Sequence, residues 1–334
     1  MKTEERILAL TALGKWIKEL SEDEFQSIAE EVRRENPWFT ESNVRMAVSG
    51  VASFLDEEKL RIWTSTYTFR SNAKKVALIL AGNIPMVGFH DLLCVLISGH
   101  HAQIKLSSKD SVLIKFLIHK LISIEPQFET QIEWVERLKN FDAVIATGSD
   151  NSARYFDYYF GKYPNIIRKN RTSIAVLTGN ESEHDLNALG LDVFSYFGLG
   201  CRNVSKLFVP AGYDLGNVYR GWESYHDIVH HHKYCNNYDY QKSILLVNIS
   251  SFLDNGFAIL QENEKMVSPI SVIYYEFYNS TVELNDRLNS IKEKVQCIVG
   301  DSDWATIKFG QSQFPELGDY ADQIDTLLFL SQLA

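Results

Sequence analysis

Continuous apolar runs that end at glycine constrain the fold of this 334-residue chain more than any other feature. Such runs cover residues 76–82, 141–148 and 173–179. Each has the length and composition of a strand that is buried on both faces. A shorter strand is predicted over 102–106, and helices are predicted over 87–98 and 111–124. This alternation of strands and helices predicts an α/β protein with a doubly wound parallel sheet.

The chain is long enough for two domains, and we place their boundary near Gly179. Residues 1–179 would then hold a set of N-terminal helices and the first sheet, and residues 180–334 would hold the second domain. Ser21 and Asp110 each precede a helical pattern and are expected to cap it.

The ends of the predicted strands indicate where a ligand would bind. In an open parallel sheet, ligands bind beyond the carboxyl ends of the strands. Three of the predicted strands end at Gly82, near Lys105 and at Gly148. Taken alone, Lys105 is compatible with a solvated surface lysine, and Gly148-Ser149 with an ordinary turn between a strand and a helix.

Composition excludes several classes of partner. The net charge is −10, whereas nucleic-acid binding needs a basic face, so we expect no nucleic-acid partner. No apolar stretch approaches the ~20 residues of a membrane span, and the first residues lack a signal-peptide core. The four cysteines are irregularly spaced, which is typical of a reducing compartment. We therefore expect a cytoplasmic protein.

Cys201 is the candidate nucleophile. It lies in the run Gly198-Leu199-Gly200-Cys201-Arg202-Asn203, where two glycines leave the backbone open to a substrate carbonyl. The positive charge of Arg202 favours the thiolate, which is the form that attacks carbonyl groups. On residue type alone, an inert buried thiol is the alternative interpretation.

A histidine-rich segment follows the cysteine at some distance. His226 and His230 have the i,i+4 spacing of zinc ligands, but Asp227 stands where the zinc-protease motif carries glutamate. We therefore expect a polar helix end and no metal. One histidine of residues 226–232 could donate a proton near the substrate, and the sequence does not choose among them.

Four short motifs occur in a fixed order. They are Gly82-Asn83-Ile84-Pro85, Lys105-Leu106-Ser107-Ser108, Thr147-Gly148-Ser149 and Gly200-Cys201, while the common GxGxxG fingerprint is absent. This order resembles the aldehyde dehydrogenase superfamily. The Gly-x-x-Cys-Arg-Asn segment and the tail over 309–313 and 319–322 are more similar to the acyl-CoA reductase branch, typified by the fatty acid reductase of bacterial bioluminescence.

The resemblance implies an aldehyde-dehydrogenase-like fold, with a nicotinamide-binding domain and a catalytic domain. It implies that Cys201 forms an acyl-enzyme from an acyl-CoA or acyl-carrier thioester, and that Asn83, otherwise a simple turn residue, binds the oxyanion. The cofactor would be NADPH, with NADH as the alternative. A homo-oligomer or an acyl-transferring partner protein is compatible with the family. The resemblance assigns cofactor binding to Ala81, Gly82, Lys105, Ser107, Gly148, Ser149, Thr178 and Gly179.

One departure from the family pattern bears on the reaction. Leu177-Thr178-Gly179-Asn180 aligns with a Glu-Leu-Gly-Gly segment whose glutamate activates water in hydrolytic aldehyde dehydrogenases. With leucine in that place, reduction of the acyl-enzyme is expected over its hydrolysis. The alternative function is a cysteine-dependent acyltransferase or thioester hydrolase that uses Cys201 with a nearby histidine and no nicotinamide.

Overall fold

The computed structural model of the chain describes residues 1–69, 72–148 and 150–333. The helices are α1 (Thr3–Lys18), α2 (Glu22–Glu35), α3 (Glu41–Phe54), α4 (Glu57–Ser65), α5 (Phe89–Ser98), α6 (Val112–Ile124), α7 (Asp150–Phe160), α8 (Glu183–Phe194), α9 (Gly216–Trp222), α10 (His232–Val247), α11 (Thr281–Ile291) and α12 (Thr326–Ser331). The strands are β1 (Lys75–Ile79), β2 (His101–Lys105), β3 (Ile132–Trp134), β4 (Ala143–Thr147), β5 (Asn165–Arg168), β6 (Thr172–Val176), β7 (Val204–Pro210), β8 (Leu253–Asp254), β9 (Ile259–Glu262), β10 (Val272–Tyr278) and β11 (Val295–Val299).

The chain forms two compact units whose division differs from the predicted one. The first unit comprises residues 1–170 together with 315–334, and the second comprises residues 171–314. The predicted domains, 1–179 and 180–334, are corrected because β6 hydrogen-bonds to β7 and β11 and so belongs to the second sheet. The last residues return to the first unit, where α12 packs against α5.

The first unit contains a parallel sheet with the strand order β3-β2-β1-β4-β5. β1 lies at its centre because its apolar residues are buried on both faces, with Val76, Ala77 and Leu78 fully buried. The carboxyl ends of β1, β2 and β4 share one edge, as the sequence predicted. The sequence pattern did not predict β3 and β5, because these short outer strands lack a long apolar run.

The second unit contains a sheet with the order β11-β6-β7-β10-β9-β8, which is parallel except for the pairing of β8 with β9. Its core on one face joins residues of α8 and α9, such as Leu189 and Trp222, to Leu207 of β7. On the other face, Leu284 and Leu288 of α11 cover the sheet. Cys201 directly precedes β7, at the amino end of that strand.

Among the described residues, no helix has both the length and the apolar composition needed to cross a membrane.

A buried ion pair fixes the C-terminal segment to the first sheet. Arg168, at the end of β5, contacts Asp91 of α5 with an Nη2–Oδ1 distance of 2.7 Å, and the two side chains are only 3% and 10% exposed. The same guanidinium donates to the carbonyl of Ala321 and to the hydroxyl of Thr326. Arg168 thus joins β5 to α5 and to the tail that precedes and begins α12.

We predict that Asp91→Ala lowers the free energy of unfolding by about 3–5 kcal/mol, because it leaves the buried charge of Arg168 uncompensated. Urea denaturation measures this effect. Glu30→Ala, which breaks an exposed ion pair with Arg34, is the control and should cost less than about 1 kcal/mol. Equal losses in the two variants would contradict a structural role for the buried pair.

Candidate active site

The loops that follow β1 and β2 touch at the carboxyl edge of the first sheet. A Cβ placed on Gly82 would lie 2.5 Å from Ser107 Oγ and 2.7 Å from Ser107 Cβ. Only glycine therefore allows the two loops this approach. The contact brings Gly82 and Ser107, two of the predicted cofactor-binding residues, to the same place.

Lys105 and Gly148 lie at the same edge, on either side of β1. Lys105 is the exposed last residue of β2 and pairs in register with Ile79. A Cβ on Gly148 would lie 2.8 Å from Ser152 Cβ, so glycine lets α7 start close against β4. The chain continues from β1 to β2 on one side and later adds β4 on the other side, so the strand order reverses at β1. In doubly wound sheets, ligands bind in the crevice at the carboxyl edge beside such a reversal. Ala81 leads into the same edge, whereas Ser149 lies outside the described residues.

Asn83 is exposed on the turn after β1, and the residues that follow it, Pro85 and Met86, are buried. Met86 has a left-handed backbone with φ 60°, which is uncommon for a residue with a side chain. Its N–H donates to Asp110 Oδ2 at 2.8 Å. A buried carboxyl from the loop after β2 therefore holds the turn that carries Asn83.

The predicted role of Asp110 as the cap of α6 is wrong. The N-terminus of α6 is capped by Glu35 at the end of α2, which accepts hydrogen bonds from the N–H and hydroxyl of Ser111 and from the N–H of Val112. Asp110 is only 1% exposed, and its Oδ1 has no hydrogen-bond partner among the described residues. Burial raises the pKa of this carboxyl to about 7. The predicted cap at Ser21, in contrast, is confirmed.

In the second unit, Cys201 lies in a tight turn that Asn203 closes. The N–H of Asn203 donates to the carbonyl of Gly200 at 3.1 Å. The side-chain Oδ1 of Asn203 accepts the N–H of Gly200 at 2.8 Å. Asn203 is 2% exposed, whereas Cys201 is half-buried. The side chain that holds the turn is therefore buried, and Cys201 is more accessible to solvent.

The amide of Asn203 also binds the end of α8. Its Nδ2 donates to the carbonyls of Asp192, Val193 and Ser195 at 3.1, 3.3 and 2.8 Å. The last carbonyls of a helix have no partner within the helix, and here one side chain supplies it. The turn over residues 200–203, which we call the cysteine turn, is therefore fixed to the C-terminus of α8.

The tail motif over 309–313 is attached to the same helix end. The carboxylate of Asp192, which is fully buried, accepts the N–H of Gly310 at 2.6 Å and of Ser312 at 2.9 Å. Burial raises the pKa of this carboxyl, while the two hydrogen bonds oppose that shift. The Cys-Arg-Asn and tail motifs, which are over a hundred residues apart in the sequence, thus share one support.

The backbone before the cysteine turn is strained. Tyr196, Phe197 and Gly198 have φ values of 51°, 59° and 75°, all in the left-handed region. Such conformations persist only where the surrounding structure imposes them, and they are concentrated at functional sites. The ring of Phe197 packs on His231 with centroids 4.2 Å apart. His231 is thus the histidine of the 226–232 segment that contacts the segment leading to Cys201.

The other histidines of that segment face solvent. His226 and His230 lie 3.1 and 3.4 Å from Asp227, and all three side chains are exposed. Within residues 1–69, 72–148 and 150–333, no group of three or more His, Cys, Asp or Glu residues could hold a metal ion.

Ser173 links the cysteine turn to a second thiol. Its hydroxyl donates to the carbonyl of Cys201 at 3.0 Å and lies 2.9 Å from the Sγ of Cys297. Burial raises the pKa of Cys297 to about 11, and burial also raises that of the fully buried Cys94. Both thiols are therefore poor nucleophiles compared with an ordinary cysteine.

The structure separates Leu177 from Cys201. Ser173, at the start of β6, contacts the cysteine turn, whereas Leu177 pairs with Phe208 at the other end of the strand. Four residues of strand span about 13 Å. A glutamate in place of Leu177 could not act on Cys201, so the expectation that Leu177 replaces a water-activating base is wrong.

Thr178 and Gly179 lie at that same far end of the second sheet. Their N–H groups donate to the carboxylate of Glu181 at 2.5 and 3.1 Å. The donors that were predicted to serve a cofactor are therefore already occupied by an acidic side chain of the same turn.

Comparison with known proteins agrees with this architecture. No family model matches the chain, and no curated protein matches it in sequence. Solved structures do match it. The chain has the aldehyde dehydrogenase fold. It superposes on a Mycobacterium tuberculosis aldehyde dehydrogenase complexed with NAD+ with a TM-score of 0.65 and 12% identity, covering 92% of this chain and 74% of that one.

Two other matches are similar in extent. Aldehyde dehydrogenase C of Pseudomonas syringae, solved as a mutant with NAD+ and octanal, gives a TM-score of 0.65 at 12% identity, over 91% of this chain and 73% of that one. An aldehyde dehydrogenase of Physcomitrella patens in complex with succinate gives 0.62 at 14% identity, over 91% and 74%. The predicted fold class is confirmed.

We predict that Asn203→Ala lowers the free energy of unfolding by about 1–3 kcal/mol. The reason is that the N–H of Gly200 and the last carbonyls of α8 lose their buried hydrogen-bond partner. Urea denaturation is the measurement. The matched control is Asn180→Ala, since this residue is exposed and, in the part of the chain that the structure describes, its backbone N–H and not its side chain makes a hydrogen bond, to Thr178. A loss in Asn203→Ala no larger than that of the control would show that the turn does not depend on this side chain.

Proposed function

We propose that this protein reduces acyl-CoA thioesters to aldehydes with a reduced nicotinamide cofactor, through an acyl-enzyme on Cys201. The observation that carries the proposal is the cysteine turn fixed by Asn203 to the end of α8, within an aldehyde dehydrogenase fold. The attachment of the tail motif to the same helix end adds support, because both segments resemble the acyl-CoA reductase branch. A cytoplasmic location belongs to the same proposal.

In the first half-reaction, the Cys201 thiolate attacks the thioester carbonyl carbon. A C–S bond to the enzyme forms, the bond to CoA breaks, and CoA leaves as its thiolate. The negative charge on the carbonyl oxygen needs hydrogen-bond donors at the moment it develops. We assign this role to the side-chain amide of Asn83 and the backbone N–H of Cys201.

In the second half-reaction, the reduced nicotinamide supplies a hydride to the acyl carbon when it is bound. Cys201 then holds the reduced carbon as a thiohemiacetal. Its sulfur takes back the electron pair of the C–S bond as the aldehyde leaves, which regenerates the thiolate. The same oxyanion donors stabilise the negative charge on oxygen before this collapse.

The carboxyl edge of the first sheet has a donor set that fits a dinucleotide. Lys105 presents an exposed ammonium group and Ser107 a hydroxyl, while Gly82 and Gly148 let the chain pack closely around them at this edge. An ammonium can bind a ribose hydroxyl and binds a 2′-phosphate more strongly. We therefore propose NADPH as the preferred cofactor, with NADH as a weaker substitute.

A second candidate function is supported by one contact. His231 packs on Phe197, four residues before Cys201, so a cysteine acyltransferase or thioester hydrolase could use it as a base. This function needs no nicotinamide. Release of acid, or transfer to a second thiol, without any aldehyde when NADPH is supplied would favour it over the reductase.

The test of the proposed function is acylation of Cys201. Intact mass spectrometry after incubation with thioesters from acetyl- to palmitoyl-CoA, without NADPH, should show one acyl adduct that maps to Cys201. Addition of NADPH should remove the adduct and release aldehyde. Cys201→Ala should give neither product, and Cys235→Ala, which removes another half-buried thiol, is the matched control that should keep both. An adduct on Cys94, Cys235 or Cys297 would contradict the assignment.

We predict that Lys105→Ala raises the Michaelis constant for NADPH by about 10-fold, which corresponds to 1.4 kcal/mol, and raises that for NADH less. The reason is that only NADPH carries the 2′-phosphate. Initial rates with each cofactor measure the effect. Cys201 acylation should be unchanged because that step uses no nicotinamide. Equal changes for the two cofactors would show that Lys105 does not contact the phosphate.

A further inference from the structure

We propose that Asp110 is a positioning residue for the reaction: it holds the turn over residues 82–86 and thereby fixes Asn83 for oxyanion binding. The proposal rests on the proposed function, in which Asn83 donates to the substrate oxygen. It concerns a residue that touches neither substrate nor cofactor and acts through the turn.

Asp110 contacts both ends of the turn that carries Asn83. At one end, its Oδ2 accepts the N–H of Met86 at 2.8 Å. At the other end, a Cβ on Gly82 would lie 3.2 Å from the Cβ of Asp110, so the aspartate packs directly on this glycine. One side chain thus spans the turn from its first residue to its last, while Asn83 remains exposed between them.

The turn needs such support. Met86 is 5% exposed and holds a left-handed backbone, a conformation that is unfavourable for a residue with a Cβ. The preceding Pro85 has no N–H to contribute. The hydrogen bond from Met86 to Asp110 therefore stabilises a conformation that the local sequence does not favour.

Asp110 is itself held in place from its other side. Its N–H donates to the carbonyl of Ser107 at 3.3 Å, and the next residue, Ser111, is bound through its N–H and hydroxyl by Glu35. Glu35 of α2 thus holds the start of α6, and Asp110, which precedes α6, holds the turn after β1. These contacts all lie within the first unit.

The supporting role requires an oxygen acceptor and no charge. Burial, reinforced by the Glu35 carboxylate, raises the pKa of Asp110 to about 7, so the neutral form is well populated at neutral pH. Oδ1 has no hydrogen-bond partner among the described residues, so replacing it breaks no bond. Asparagine keeps the acceptor for Met86 and has the same shape. It should therefore substitute for the aspartate.

The experiment is a double-mutant cycle read out by the rate of Cys201 acylation, with the acyl-CoA that acylates the wild type fastest. Asn83→Ala should reduce the rate at saturation by about 100-fold. Asp110→Ala should reduce it by about 10-fold or more through misplacement of Asn83, with the half-saturating acyl-CoA concentration unchanged. Asp110→Asn should retain the wild-type rate within about twofold, because its amide oxygen accepts the same hydrogen bond.

The decisive comparison is the double variant. If Asp110 acts through Asn83, Asp110→Ala should cause no further loss in the Asn83→Ala protein. A full additional 10-fold loss there, or an Asp110→Asn protein as slow as Asp110→Ala, would overturn the proposal. Should the alanine variant not fold, Asp110→Ser, which is polar but too short to reach Met86, takes its place. If the wild-type protein never becomes acylated, the proposed function is refuted, and this inference is refuted with it.

Discussion

The hydrogen bonds of the Asn203 side-chain amide are the interaction on which the turn around Cys201 depends. A helix ends with carbonyl groups that lack partners, and a glycine-rich turn has N–H groups that lack them. Asn203 satisfies both needs, since it donates to the end of α8 and accepts from Gly200. The glycines leave the backbone around Cys201 uncovered, and the buried Asn203 side chain supplies the rigidity that the glycines do not.

The loop after β1 is built by the same principle. Asn83 is exposed, and the buried oxygen of Asp110 fixes the turn on which it lies. In both units, a side chain that is nearly inaccessible holds a more accessible residue of the proposed chemistry. Such support suits a reaction in which donors must be in place before charge develops on the substrate, because no energy is then spent on reorienting them.

The sequence predicted those parts of the fold that depend on local pattern. β1 and β4 were found because strands buried on both faces have continuous apolar runs. The same pattern could not assign the run 173–179 to a sheet, since a strand buried in either sheet has the same composition. The role of Asp110 was missed for a related reason. Its predicted place at the helix cap is taken by Glu35, which is distant in sequence and adjacent in space.

The residues of the proposed chemistry follow the carboxyl ends of the strands in the first sheet and precede the amino end of a strand in the second. In the first, the proposed cofactor residues follow the carboxyl ends, as is usual for open parallel sheets. In the second, Cys201 lies at the amino end of β7, and Ser173 at the start of β6 supports it. Extending the usual rule to the second sheet therefore selects Thr178 and Gly179, whose donors Glu181 already occupies. The turn around Cys201 is held instead by the C-terminus of α8, through the hydrogen bonds of Asn203.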